Sequence, residues 1–99
     1  MISLAAKAGK VSSGEFSVEK AIKEGRARLV IIACDASDNT KKHFSDMCTY
    51  RDIKHIVFGD SENLGRYCGK DIRKSLAICD EGLATGIEGK IDAANASCE

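Results

Sequence analysis

The stretch that decides the fold is RLVIIAC, residues 28–34, a nearly continuous run of apolar and mostly β-branched side chains. A strand with one solvated face alternates apolar and polar residues, whereas an unbroken apolar run is typical of a strand that is covered on both faces. Two further runs, HIVF at 55–58 and KSLAICD at 74–80, have the same character. These runs predict a sheet with helices packed on both of its faces.

Helical patterns separate these strands. They predict a short helix at residues 2–8, a helix at about 15–24, a helix capped by Ser37 or Asp38, a short helix at 60–69 capped by Asp60 or Ser61, and a last turn or two from residue 81. The sequence also allows a very short strand at residues 11–13. Three alternations of strand and helix predict βαβ units and a largely parallel sheet. We expect one domain over residues 1–99, with a tail that can fray after about residue 88.

The amino-acid composition limits the classes of protein to which this chain can belong. The 99 residues are 43% apolar and 30% charged, with a formal net charge of zero. No apolar run approaches the roughly 20 residues of a membrane span. Five cysteines without a C-x-x-C pair argue against a disulfide framework and a structural zinc site, and favour a reducing, cytoplasmic setting. Basic residues concentrate in the first 28 residues, which contain six lysines or arginines and three glutamates. The last 19 residues are acidic.

Two carboxylates offer the best position for catalysis. Asp35 and Asp38 follow the 28–34 strand, at the edge of an α/β sheet where ligands bind. They can serve a small enzyme site, or they can simply cap the next helix. The histidines have no Ser or Cys partner in a recognisable motif, and no dinucleotide-binding or P-loop motif is present. We expect no catalytic residue.

The segment KVSSGEFSVEKAIKE, residues 10–24, places a lysine, two serines and a glycine at the start of a helix. Free backbone N–H groups and a partial positive charge at such a start suit a phosphate, although ordinary helices begin in the same way, here with Ser13 as N-cap. A second basic group, Lys70, Arg73 and Lys74, precedes the strand at 74–80. If both loops lie at one edge of the sheet, they form a positive saddle for a bent phosphate backbone.

The order and spacing of several segments carry a family resemblance. AGKVSSGE, KAIKEGRARLVIIACDAS followed by NTKK, and LGR followed two residues later by GK are its most specific parts, within a match over residues 2 to about 87. The chain resembles the ribosomal protein L7Ae/L30e family, within the kink-turn RNA-binding superfamily, and more closely its bacterial YlxQ-type branch.

The resemblance implies an α/β protein, a three-layer α/β/α sandwich around a mixed four-stranded sheet. It also implies a ribosome-associated RNA-binding protein that is not an enzyme and needs no metal or organic cofactor. Family members grip kink-turn RNA through the start of the second helix and the loop before the last strand. The RNA-binding residues expected here are Lys10, Ser12, Ser13, Gly14, Glu15, Phe16, Ser17, Lys20, Asp35, Ile72, Arg73 and Lys74.

The sequence departs from the family pattern at the start of the second helix. The family motif G-x-N-E-x-x-K becomes Gly14, Phe16, Ser17 and Lys20, so the Asn and Glu that read base edges are replaced. Phe16 is expected in the core near Ile22, or, if exposed, it stacks on an unpaired base. The loop before the last strand is charged rather than apolar, with Ile72 as its one bulky apolar residue. General RNA binding is therefore favoured over strict kink-turn recognition.

The expected partners are RNA, ribosomal or kink-turn-like, together with ribosomal proteins, for a monomer that does not act on a membrane. The alternative is a protein-interaction module on the same fold with little or no RNA affinity, which the neutral net charge also suits.

Overall fold

The computed structural model describes the backbone of residues 2–94 and the side chains of residues 5–89. It has an α/β architecture, with helices packed around a four-stranded sheet. The elements in chain order are α1 (Ile2–Lys7), β1 (Val11–Ser13), α2 (Glu15–Lys23), β2 (Leu29–Ile32), α3 (Asp38–Tyr50), β3 (Lys54–Val57), α4 (Ser61–Tyr67), β4 (Ser75–Ile78) and α5 (Glu81–Ala94).

The sheet is mixed, with strand order β1-β4-β2-β3. Only β2 and β3 run parallel, and β4 is antiparallel to both of its neighbours, β1 and β2. The largely parallel sheet predicted from the alternation of strands and helices is therefore wrong, whereas the mixed four-stranded sheet implied by the family resemblance is confirmed.

The direction of β4 follows from the short connection before it. Helix α4 has only seven residues, about 10 Å of length. The segment after it, residues 68–74, folds back along the helix and is called the β4 loop below. Its Lys70 N–H donates to the Gly65 carbonyl at 2.8 Å, and its Arg73 N–H donates to the Ser61 carbonyl at 3.0 Å. The chain thus returns to the first residue of α4 and enters the sheet at the end where β3 leaves it.

The core lies around the two central strands. All four residues of β2 and all four of β4 are buried, as the apolar run at 28–34 predicts. Helices α2 and α3 contact each other, α1 contacts α4, and α5 packs against β2 and β4. The largest buried side chains from the helices include Ile22, Phe44 and Leu64.

Local capping signals decide where two of the helices begin. The Ser37 Oγ accepts from the Thr40 N–H at 3.2 Å, and Asp60 Oδ1 accepts from the Asn63 N–H at 2.7 Å, so both predicted caps are confirmed. The predicted cap of α2 is wrong. Ser13 belongs to β1, and the N-cap is Gly14 at φ 91°, which has no side chain to offer. Helix α5 continues to Ala94 and is longer than predicted.

The cysteines differ in state. Cys48, Cys68 and Cys79 are free thiols, whereas Cys34 is disulfide-bonded, which the argument against a disulfide framework did not foresee. Within residues 2–94, no helix combines the length and the apolar character needed to cross a membrane.

Candidate nucleic-acid interface

One end of the sheet carries the beginnings of three helices. Strands β1, β2 and β3 end there and are followed by α2, α3 and α4, while β4 begins there. The register places Ser13 opposite Leu76, and Ile32 opposite both Ser75 and Val57. Residues from four separate segments of the chain therefore meet at this edge.

The start of α2 is bonded to the first residue of β4 and lies beside the β4 loop. The Gly14 N–H donates to the Ser75 carbonyl at 3.1 Å, and the Arg73 Cδ lies 3.9 Å from the point that a Cβ on Gly14 would occupy. Between them lies a cavity of about 440 Å³, called the groove below. Its lining residues are Ser13, Gly14, Glu15, Phe16, Ser17, Thr40, Ile72, Arg73, Lys74 and Ser75.

The N-terminus of α2 is uncapped, unlike those of α3 and α4. No side chain accepts a hydrogen bond at Gly14, and the first intrahelical bond runs from the Val18 N–H to the Gly14 carbonyl. The N–H groups of Glu15, Phe16 and Ser17 have no acceptor within the described residues. Three donors and the positive end of the helix dipole thus face the groove, an arrangement suited to an anion.

Ser75 adds a polar group that the protein leaves unsatisfied. It is 1% exposed, and its hydroxyl has no hydrogen-bond partner in the described part of the chain. An unsatisfied buried hydroxyl costs about 1–3 kcal/mol, so a polar ligand group reaching this wall of the groove would be favoured. Sequence reasoning missed Ser75, although a serine inside an otherwise apolar strand is a signal that could have identified it.

Two large apolar side chains stand exposed at the groove. Phe16 is 78% exposed and Ile72 is 59% exposed. The expectation of Phe16 in the core is wrong for a geometric reason. At about 100° per residue, Phe16 points about 200° away from Val18, which is buried with Ala21 and Ile22 on the opposite side of α2. Both side chains are free to contact a flat ligand such as a base.

Two cationic side chains line the groove, and a third lies further along α2. Arg73 and Lys74 come from the β4 loop, and the Arg73 guanidinium donates to the Ile72 carbonyl at 2.8 Å. Lys20 is exposed one helical turn after Phe16, on the same outer face of α2. The groove lining therefore carries two cations, Arg73 and Lys74, and one carboxylate, Glu15, whereas Lys20 lies outside it.

Four of the expected contact residues are absent from the groove lining: Lys10, Ser12, Lys20 and Asp35. Lys10 lies at the other end of β1, where its carbonyl accepts from the Cys79 N–H at 2.7 Å. The Ser12 Oγ lies 3.9 Å from the Cys79 Sγ, and Ser12 is absent from the groove lining. Strand β1 has three residues in extended conformation. Residues that are close in sequence therefore lie at different distances from the groove along this strand.

Asp35 has a structural partner. Its carboxylate accepts from the Ser61 N–H at 2.9 Å and from the Ser61 hydroxyl at 2.7 Å. The hydroxyl bond is the main cause that lowers the pKa of Asp35 below its ordinary value. Asp35 therefore holds the start of α4, and the expectation that Asp35 and Asp38 cap the helix after β2 is wrong, because Ser37 caps α3.

Sequence reasoning also missed Gly65, which determines where the β4 loop lies. A Cβ on Gly65 would stand 1.3 Å from the Asp71 carbonyl oxygen, so only glycine permits the loop to lie this close to α4. Gly65 occurs in the quoted LGR segment, but the need for glycine there comes from a loop six residues further along the chain.

Comparison with known proteins gives matches over most of the chain. The model of the "Ribosomal protein L7Ae/L30e/S12e/Gadd45 family" matches residues 1–87. The RNA-binding protein YlxQ of Bacillus subtilis (strain 168) is 38% identical over 92 residues, which cover 93% of this chain and 92% of that protein. The large ribosomal subunit protein eL30 of Methanoregula boonei is 39% identical over 80 residues, with 79% of each chain covered.

Among solved structures, a protein with unknown function from Bacillus halodurans C superposes with a TM-score of 0.88 at 36% sequence identity. The match covers 92% of both chains. The similarity in three dimensions thus extends over nearly the whole fold.

Proposed function

The chain belongs to the L7Ae/L30e/S12e/Gadd45 family of ribosomal proteins, within its bacterial YlxQ-type branch, and from this premise we propose that it is a ribosome-associated RNA-binding protein. In this proposal the groove grips structured RNA in the cytoplasm, and the protein is not an enzyme. The observation that carries the proposal is the contact between the Gly14 turn and the β4 loop, which are separated by about 60 residues in the sequence.

The first part of the proposed grip is electrostatic. Phosphate or sugar oxygens accept from the free N–H groups at the start of α2, and the hydroxyls of Ser13 and Ser17 add short hydrogen bonds. Arg73 and Lys74 neutralise phosphates in the groove, and Lys20 neutralises one beyond the groove lining, on the outer face of α2.

The second part of the proposed grip is apolar. The exposed faces of Phe16 and Ile72 stack against a base that has left its helix, and such stacking is worth about 1–3 kcal/mol per base. A straight duplex keeps its bases paired, so this contact favours a bent RNA with an unpaired base, such as a kink-turn. Phe16 and Ser17 cannot read base edges as an Asn–Glu pair does, so recognition depends on shape more than on sequence.

Asp35 acts indirectly in this proposal. Its bonds to Ser61 fix the residue whose carbonyl accepts from the Arg73 N–H at 3.0 Å. The carboxylate thereby helps to position the β4 loop without touching RNA. Lys10 and Ser12 lie outside the proposed contact surface.

The proposal is tested by titrating the protein with a kink-turn duplex and with a straight duplex of equal length, each at two salt concentrations. We expect tighter binding of the kink-turn. Lys20→Ala and Arg73→Ala should each weaken binding and reduce the slope of log K against log salt by about 0.7–0.9, since each removes one phosphate contact.

Arg26→Ala is the matched control, because it removes the same charge at the other end of α2, where Arg26 pairs with Glu24 at 2.7 Å. It should bind RNA as the parent does. No measurable RNA affinity at physiological salt would contradict the proposal and favour a protein-interaction module. Equal RNA affinity in the parent, Lys20→Ala and Arg73→Ala would show that the groove is not part of the RNA-binding site.

A further inference from the structure

A second basic surface lies at the end of the sheet remote from the groove. A cavity of about 470 Å³, called the cleft below, opens there. Its lining residues are Ile22, Gly25, Ala27, Arg28, Arg51, Asp52, Ile53 and Lys54.

The strand register fixes the position of the cleft relative to the groove. The Arg28 N–H donates to the carbonyl of Ile78, the last residue of β4, whereas Ser75, the first residue of β4, lines the groove. Leu29 pairs with Lys54 at the start of the parallel strands β2 and β3. The cleft and the groove thus lie at opposite ends of the same strands.

Three cations from three segments line the cleft. Arg28 precedes β2, Arg51 is the C-cap of α3, and Lys54 begins β3. The guanidinium groups of Arg28 and Arg51 make no ion pair or side-chain hydrogen bond within the described residues. Lys54 pairs with Glu88 at 3.3 Å, and the one lining carboxylate is that of Asp52.

Helices α2 and α3 both end at the cleft, and cations near helix C-termini are favourable in themselves. Within the described residues neither guanidinium donates to a carbonyl of these helices, so the N–H groups of both remain available to a ligand. Arg51 follows Tyr50, whose side chain is 86% exposed. Two free guanidinium groups can bind nucleic-acid phosphates, and Tyr50, which adjoins Arg51 in the chain but is absent from the cleft lining, offers an exposed ring on which a base can stack.

We propose that the cleft is a second RNA-binding site, at which Arg28 and Arg51 bind phosphates of a single strand and Tyr50 stacks on a base. The inference rests on the proposed function of the groove and extends it. One protein molecule, about 28 × 27 × 26 Å in extent, would hold two RNA segments on opposite sides. When both segments belong to one RNA, the second contact forms at high effective concentration and strengthens the first.

The test is a capture experiment with two probes. Kink-turn RNA is immobilised and saturated with the protein, and a fluorescent single-stranded RNA is then added. The parent protein should retain the fluorescent strand. The Arg28→Ala/Arg51→Ala variant should bind the immobilised RNA as the parent does and lose at least about tenfold in affinity for the strand, because it loses two charge-assisted contacts.

The matched control is Arg26→Ala/Arg66→Ala, which removes two arginines that are already paired with glutamates. It should retain the strand, and thermal melts should show that both double variants are folded. Retention of the strand by Arg28→Ala/Arg51→Ala, or no retention by the parent, would overturn the inference while the groove function stands.

The groove variant Arg73→Ala distinguishes the two proposals in solution. It should bind kink-turn RNA weakly and the single strand as the parent does. If kink-turn binding is lost in Arg28→Ala/Arg51→Ala and kept in Arg73→Ala, the groove proposal is wrong and the cleft is the RNA site.

Discussion

At the scale of single residues, Phe16 is the side chain whose position bears most on function. It lies on the outer face of α2, and an exposed phenyl ring contributes little to the free energy of unfolding. Its neighbours on that face are charged, with Lys20 and Lys23 beside Glu19 and Glu24. A ring held beside cations and free N–H groups is therefore better explained by contact with a ligand than by packing.

Phe16→Ala should leave the free energy of unfolding within about 0.5 kcal/mol of the parent value, since the side chain is exposed. It should weaken kink-turn RNA binding by about 1–3 kcal/mol through loss of stacking. Urea unfolding and RNA titration measure the two effects separately.

Phe44→Ala provides the contrast, because Phe44 is fully buried and its truncation should cost about 3–5 kcal/mol of stability. A large stability loss in Phe16→Ala, with RNA affinity unchanged, would show that Phe16 packs in the core and does not contact RNA.

At the scale of secondary-structure elements, the pairing of α4 with the β4 loop positions half of the groove. The loop lies against the helix at Gly65 and is bonded to it through the Gly65 and Ser61 carbonyls. Ile72 and Arg73 therefore take their places from a backbone contact, since any Cβ at residue 65 would displace the loop.

Gly65→Ala should lower the free energy of unfolding by about 1–3 kcal/mol, the usual cost of overpacking, because the added methyl group meets the Asp71 backbone. It should also weaken RNA binding, because the displaced loop carries Ile72 and Arg73. Urea unfolding and titration with kink-turn RNA measure these changes.

Gly89→Ala is the matched control, since Gly89 is a helical glycine of α5 with nothing within 4 Å of an added Cβ. The substitution should stabilise the protein by up to about 1 kcal/mol through helix propensity. If Gly65→Ala behaved in the same way, the close contact between α4 and the loop would not determine the groove.

At the scale of the whole molecule, Asp35 connects the end of the sheet to α4. Its two hydrogen bonds to Ser61 join segments 26 residues apart. Because its pKa is lowered in the folded protein, the carboxylate stabilises the fold most when it is ionised. This contribution is complete above the unfolded pKa, near 3.8, and is lost as the pH falls through the folded pKa.

Asp35→Asn should therefore be less stable than the parent at pH 7, and the difference should shrink as the pH falls below about 3.8. Urea unfolding over a pH series measures it. Asp46→Asn, an exposed position on α3, should stay within about 0.5 kcal/mol of the parent at pH 7. A stability difference for Asp35→Asn that grew on acidification would contradict the assigned role of the Asp35–Ser61 bonds.

Much of the molecule is determined within short windows of its sequence. The buried strand at 28–34 follows from its unbroken apolar run, and the caps at Ser37 and Asp60 follow from hydrogen bonds that span three residues. The family resemblance likewise rests on segments read along the chain. These features are predictable because each depends on neighbours a few residues apart.

Only the tertiary structure decided the direction of β4, the contact of Gly14 with Arg73, the partner of Asp35 and the separation of Lys10 from the groove. Each depends on the β4 loop folding back on α4, or on which end of a strand a residue occupies, and neither leaves a local periodicity in the sequence. The exposure of Phe16 could not be predicted from local sequence either, since it depends on which face of α2 the sheet covers. Contacts between distant segments are set by how the elements pack together, so the binding surface emerges only when those elements are assembled.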